Sequence, residues 1–505
     1  MEARRRRKMR YAVLFTAAVV AAAGAVPISA LVAPQRPAPR GAILTPTRPN
    51  ILVIMTDDQR QDDMWVMQRV DALLTQRGTT FSDSFASFPL CCPSRATFLT
   101  GQYSHNHGVG GNIPPLGGYG KLDHTETLAV WLERGGYYTA HVGKYLNGYG
   151  VEDAQTVPGP PPYEIPPGWS EWYGSVDPFS HTMLGFTLNE QGTLVTYGDQ
   201  TGAQARCDSH PFDGVCYQTD VYARKAADFI RRRARATDGK PFFLWVAFTA
   251  PHLESPAVVP NPRPAPRHRG SFRNQPLPTP PSLNETDVSD KPVFLRSLAP
   301  MNSTEIGRVT AFYRTRLTAL LAVDDAVDEI IAALGATGQL QNTVVIFASD
   351  NGWFQGEHRF LAGKGWPYEE AVRVPLIIRA PGMPAGQTVA KLVANLDLAP
   401  TIVDLAQAVP GRVMDGRSLL PLMTDPTAAW RPDLLLKTSY TAAVRSDLYV
   451  YMEHISGERE FYDLQVDPFQ LQSLHDSTSA AYQAIMAALK QRLDVLKACS
   501  GASCW

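Results

Sequence analysis

The sequence lacks an excess of charge of either sign: 47 Lys and Arg stand against 48 Asp and Glu. A chain so balanced has no general basic field for nucleic acid, so an anionic ligand needs a local cationic pocket. Cysteine is also sparse, six in 505 residues, which excludes a small scaffold built on disulfides. No internal repeat stands out, which excludes a solenoid or propeller. Long uncharged apolar runs are missing except at residues 11–33, behind Arg4, Arg5, Arg6, Arg7, Lys8 and Arg10. A basic flank before an apolar run is the pattern of an export leader, and this run is long enough to remain as an anchor if uncleaved. Residues 1–33 are therefore expected to be a signal peptide or signal anchor, and 34–48 a Pro-rich tether. A membrane is expected to be met only through that segment, if it is uncleaved. Setting the leader aside leaves a mildly acidic body.

The length suits a large catalytic domain with a smaller partner. Cys207 and Cys216 bracket one short loop, and Cys499 and Cys504 another. Both spacings suit disulfides in an oxidising compartment. Cys91 and Cys92 are left over, and neighbours in sequence rarely bridge, so one of them has another task.

Apolar runs at 50–55, 139–142, 241–249 and 343–348 read as buried parallel strands, with helical patterns between them at 125–134, 220–236 and 304–334. That alternation predicts an open α/β sheet with ligands beyond the C-terminal strand ends. Those ends carry Asp57-Asp58, Lys144, His252 and Asp350-Asn351. Past residue 423, runs at 434–438, 441–444, 449–455 and 460–464 predict a small antiparallel sheet, with a helix at 479–497. The expected division is a catalytic domain at 49–423 and an α+β subdomain at 424–505. Two loops are Pro-rich, 157–167 and 256–281. The second carries Arg263, Arg267, His268, Arg269 and Arg273, read as a solvated surface loop or a cationic rim for a polyanion.

The central segment is 90–109, LCCPSRATFLTGQYSHNHGV. Pro93 suits the first turn of a helix, where its missing N–H is not needed. Cys91 then lies where free amides favour an anion, and on residue type alone it reads as a thiolate nucleophile. Arg95 follows within the first turn, and a guanidinium can fork onto sulfate or phosphate oxygens. The bland reading is a helix start with two buried thiols.

Cys91-Cys92-Pro93-Ser94-Arg95, followed by Leu99-Thr100-Gly101, resembles the signature of type I sulfatases. The resemblance extends from about residue 48 to 505. Among the family's branches the chain is most similar to the N-acetylglucosamine-6-sulfatases, through CCPSR, GKYLN at 143–147, SVDPFSH at 175–181, LLAVDD at 320–325 and the closing CSGASC. The resemblance implies an alkaline-phosphatase-like α/β fold: a large mixed, mainly parallel sheet flanked by helices, with a smaller C-terminal antiparallel sheet and helix. It implies conversion of Cys91 to formylglycine by a formylglycine-generating enzyme. It assigns Asp57, Asp58, Asp350 and Asn351, with position 91, to a divalent cation. Oxygen-only donors suit calcium, or magnesium, rather than zinc.

The resemblance also implies a mechanism. One hydroxyl of the hydrated formylglycine attacks sulfur, and the second expels sulfate and restores the aldehyde. Arg95, Lys144 and Lys364 neutralise sulfate oxygens, and His252 protonates the leaving alcohol. The implied substrate is a sulfated sugar or glycosaminoglycan. One departure stands out. Many arylsulfatases place a His two residues after the strand-end lysine, and here that residue is Leu146. His105, His107, His141 and His358 are the candidates for its role in sulfate release. The rival readings are an aryl sulfatase, a phosphohydrolase of the same superfamily, and a non-catalytic binder of sulfated glycans.

Overall fold

Five parallel strands form the middle of the protein, and their apolar runs explain why. In the strand Asn50–Thr56, Ile51, Val53 and Met55 face one core while Leu52 and Ile54 face the other. Alternation at period two buries both faces, as a central parallel strand requires. The computed structural model describes residues 48–151, 164–198, 216–254 and 261–505, which lie in one compact unit. The leader, residues 34–47 of the tether, Cys207 and the parts of the Pro-rich loops at 157–163 and 256–260 lie outside the described residues. Among the described residues no helix is long and apolar enough to cross a membrane.

The ten-stranded sheet runs in the order Gln387–Val389, Thr79–Phe81, Leu376–Arg379, Thr343–Ser349, Asn50–Thr56, Phe242–Ala247, Tyr138–Gly143, Glu171–Ser175, Phe186–Glu190, Thr193–Tyr197. The strands from Thr343–Ser349 through Glu171–Ser175 are mutually parallel. Helices Cys91–Thr100, Leu128–Arg134 and Leu398–Ala406 cover one face; Gln218–Ala234 and Ser303–Ala336 cover the other. This is the expected mixed, mainly parallel, alkaline-phosphatase-like sheet.

Register levels the strand ends. Met55 lies beside both Ala247 and Ala348, and Gly143 beside Ala247. The residues that follow each strand are thereby delivered to one edge. Gly143 has φ +108, and a Cβ there would lie 2.2 Å from the Ala247 carbonyl oxygen. Only glycine permits that approach, which sets the turn into Lys144.

A separate four-stranded antiparallel sheet follows, Asp433–Lys437, Thr441–Ser446, Tyr449–His454 and Arg459–Asp463, with helix Ala480–Leu496 against it. Its Leu435, Val444 and Phe461 share a core with Phe85, Tyr103 and Phe354. The Cys499–Cys504 disulfide is formed, while the expected Cys207–Cys216 pair falls on a residue outside the description.

Candidate active site

Helix Cys91–Thr100 begins where expected, with Cys91 as its first residue and Leu90 extended before it. Ser94 Oγ donates to the Asp350 carbonyl and accepts from Asn395 Nδ2 at 2.9 Å, tying the helix start to the end of Thr343–Ser349. Asp58 is held at φ +66, a left-handed conformation unusual outside glycine. Its N–H donates to Asp350 Oδ1 at 3.2 Å, and its carbonyl accepts from buried Arg316 at 2.5 Å. Those two bonds hold the strained turn that aims its carboxylate inward.

The strand ends converge on Cys91. Its Sγ lies 3.4 Å from Asp57 Oδ1 and 2.7 Å from Lys364 Nζ. Lys364 also touches Asp58 Oδ1 and stands 3.4 Å from Asn351 Oδ1. Lys144 Nζ donates to Asp57 Oδ2. His252 donates from Nδ1 to the Leu253 carbonyl at 2.7 Å, leaving Nε2 at 3.6 Å from Asp58 Oδ2. All nine residues singled out from the sequence thus lie in one connected cluster.

Two of them differ from expectation in their surroundings. Arg95 is fully buried, and its fork is turned onto protein groups: Nε to Asp350 at 2.8 Å, Nη2 to Asp57 at 3.2 Å and Nη1 to the Lys144 carbonyl at 2.7 Å. The Cys91 thiol is not predisposed to be a thiolate. Burial first, then the negative charge of Asp57, pushes it up to about 12, outweighing Lys144 and Lys364. The free amides of the helix start do not offset that desolvation.

The carboxylates divide in the same way. Burial would raise Asp57, but Lys144, His252, Lys364 and Arg95 together hold it well below the ordinary carboxylate range. Asp350 is pushed up to about 6 by burial and by the charge of Asp57. Asp58 Oδ2 is buried with no hydrogen-bond partner. An orphaned carboxylate oxygen beside further oxygen donors fits a hard cation. One ligand atom from each of Asp57, Asp58, Cys91 and His252 lies within 4.8 Å of the others.

The sulfatase family profile matches residues 49–408, and that of the N-sulphoglucosamine sulphohydrolase C-terminal region matches 356–499. The chain belongs to the sulfatase family. It is a sulfuric ester hydrolase. The N-acetylglucosamine-6-sulfatase of Capra hircus is 31% identical over 514 residues, covering 92% of this chain and 86% of that protein. An arylsulfatase of Volvox carteri is 33% identical over 519 residues, covering 90% and 76%. A structure in complex with its substrate D-glucosamine-2-N,6-O-disulfate has a TM-score of 0.72 at 24% identity, covering 89% of this chain and 97% of that one, a likeness of fold.

The four histidines read as candidates for sulfate release have other partners in this sulfatase. His105 bonds the Cys499 carbonyl, His107 bonds Thr97 Oγ1 and His141 bonds the Gly143 carbonyl. His358 Nδ1 lies 2.7 Å from Glu285 and Nε2 lies 3.6 Å from Glu370. Among the described residues a further histidine, His181, approaches the cluster, its ring lying 4.4 Å from that of His252. Its only signal in the sequence is the DPFSH segment, since it follows no apolar run. The basic loop is also committed: Arg263 pairs with Glu254, Arg267 with Asp220 and Asp325, and His268 with Asp325. Those three side chains are tied to acids and do not form a free cationic rim.

His358 gives a pH prediction. Burial alone would lower its pKa, but Glu370 and Glu285 override it and raise it to about 9. A raised histidine contributes stability that is complete below its unfolded value of 6.5 and is lost as pH rises through about 9. The thermal midpoint of the wild type is expected to fall across that window, and that of His358→Gln to fall less steeply. Parallel curves for the two proteins would show that the buried pair does not carry this linkage.

Proposed function

We propose that this sulfatase removes the 6-O-sulfate of an N-acetylglucosamine-like sugar, within or cut from a glycosaminoglycan, using formylglycine at position 91 and calcium, or magnesium in its place. The observation that carries the chemistry is Cys91 at a helix start, within bonding reach of Asp57 and Lys364. A hydrated aldehyde at position 91 would supply two hydroxyls, one to take the sulfuryl group and one to release it. A divalent cation held by Asp57, Asp58, Asp350 and Asn351 would supply Lewis acidity at that position.

The surrounding residues bind and orient. Lys144 and Lys364 offer ammonium groups to sulfate oxygens, and buried Arg95 fixes the geometry of Asp57 and Asp350. His252 would protonate the leaving alcohol from Nε2 as the imidazolium, because Nδ1 is committed as a donor to the Leu253 carbonyl. Asp57, Asp58 and Asp350 face Arg95, Lys144 and Lys364, so formal charges balance. A divalent cation would therefore leave the cluster net positive, which favours entry of the singly charged sulfate ester.

Chelation is expected to remove activity and lower the thermal midpoint, with calcium or magnesium restoring both. Recovery by zinc alone would contradict an oxygen-donor site. Export is part of the reading, supported by the basic and apolar N-terminus and the Cys499–Cys504 disulfide.

The substrate class rests on the names of relatives, the goat N-acetylglucosamine-6-sulfatase and the complex with D-glucosamine-2-N,6-O-disulfate. The algal arylsulfatase, similar over as much of the chain, favours a second reading, an aryl sulfate. The deciding comparison is kcat/KM on N-acetylglucosamine 6-sulfate, a sugar 2-sulfate and an aryl sulfate. The 6-sulfate is expected to be preferred. Activity confined to aryl sulfate, or preference for the 2-sulfate, would reject the sugar assignment and leave the sulfatase chemistry standing.

A further inference from the structure

Leu146 is buried and has no group that accepts a proton, so release of sulfate from position 91 needs another base. We infer that His181, oriented by Asp177 through Ser180, is the catalytic residue that accepts this proton; the inference rests on formylglycine at position 91.

The orientation follows from counting donors. Asp177 Oδ2 accepts the Gly148 N–H at 2.6 Å, and its Oδ1 accepts the Ser180 hydroxyl. Ser180 has one proton and has given it to the carboxylate. Toward His181 Nδ1, 3.1 Å away, it can only present a lone pair. His181 therefore holds its proton on Nδ1 and leaves Nε2 bare. Its ring lies against that of His252 at 4.4 Å and 35°, and the charges of Lys144, Asp57 and Lys364 act on it electrostatically. Burial, then Lys144 and His252, pushes its pKa well below 6.5, so it is neutral before the step, as an acceptor must be. None of His105, His107, His141 and His358 has a contact of this kind with the cluster.

The step balances as follows. Nε2 takes the proton of the free hydroxyl on the sulfated diol at position 91. The O–H electron pair becomes the carbonyl π bond. The carbon–oxygen bond to the sulfate breaks, its electrons leave on oxygen, and sulfate departs as the dianion while His181 becomes imidazolium. Proton loss to water resets it.

His181→Ala is expected to transfer the sulfuryl group at near normal rate and to release sulfate slowly. Steady-state turnover should fall by about 10²–10⁴-fold. With excess aryl sulfate the variant should give a burst of one equivalent of phenol. Its intact mass should rise by one sulfuryl group, and added imidazole should clear that adduct. Ser180→Ala removes the orienting link without touching the reacting atoms, and is expected to build the same adduct to a smaller extent. It carries the test if His181→Ala does not fold. Peptide mass at position 91 is measured first. An unmodified Cys91 in active wild type would overturn the formylglycine reading itself. A converted variant that turns over at the wild-type rate, or is slow without burst or adduct, would overturn the assignment to His181.

Discussion

Cys91→Ala is expected to abolish turnover, by roughly four orders of magnitude or more, while the protein stays folded. The thiol is buried at the start of helix Cys91–Thr100, between Asp57 and Lys364. The remaining groups of the cluster, carboxylates, an amide, ammonium groups, a guanidinium and an imidazole, offer no aldehyde hydrate that could both take and expel the sulfuryl group. Removing one small buried thiol leaves the ion-pair network intact, so the thermal midpoint should shift by only a few degrees. Activity and circular dichroism on the same preparation decide the matter. A folded, metal-loaded variant at wild-type activity would reject the central role of position 91. Serine at this position would keep a hydroxyl, but a plain alcohol has no second hydroxyl with which to expel sulfate, so Cys91→Ser is expected to stop after one turnover.

Arg95→Ala is expected to be the most damaging substitution for stability, costing about 3–5 kcal/mol. Its side chain is fully buried and binds Asp57, Asp350 and the Lys144 carbonyl. Truncation leaves two carboxylates facing each other with a main counter-charge gone. Asp350 is already raised to about 6 by burial and by Asp57, and loses the largest of the three charges that oppose that rise, with Lys364 and Lys144 remaining. Chemical denaturation would measure the loss. Calcium is expected to return part of it, because a dication near Asp57 and Asp350 replaces the missing charge. A variant as stable as wild type in the absence of metal would show that the buried ion pairs are not what holds this corner of the fold.

The central strands were legible because burial on both faces leaves them apolar throughout. The runs at 50–55 and 343–348 became Asn50–Thr56 and Thr343–Ser349. The outer strands Glu171–Ser175, Phe186–Glu190 and Thr193–Tyr197 were not foreseen. They are short, mix polar with apolar residues, and are less buried toward the sheet edge. The helix expected from residue 125 begins at Leu128, because Asp123 accepts from both the N–H and the hydroxyl of Thr125 and holds that stretch as a turn.

Cys91-Cys92-Pro93-Ser94-Arg95, by its resemblance to the sulfatase signature, carried the reaction class, and with the polar residues at the strand ends it named the residues that the fold gathers into the candidate site. Short motifs keep their spacing in any fold, and parallel strands deliver their ends to one edge. Which way each side chain points was decided only by tertiary structure. Arg95 turns inward onto Asp57 and Asp350 because those carboxylates, far away in the chain, are its nearest partners once the sheet is assembled. His181 reaches His252 because the turn at Asp177–His181 lies against the end of Phe242–Ala247, where Thr249 Oγ1 bonds the Ser180 carbonyl at 3.0 Å. Contacts between segments so distant in sequence leave no local pattern, since they depend on how the helices and strands pack.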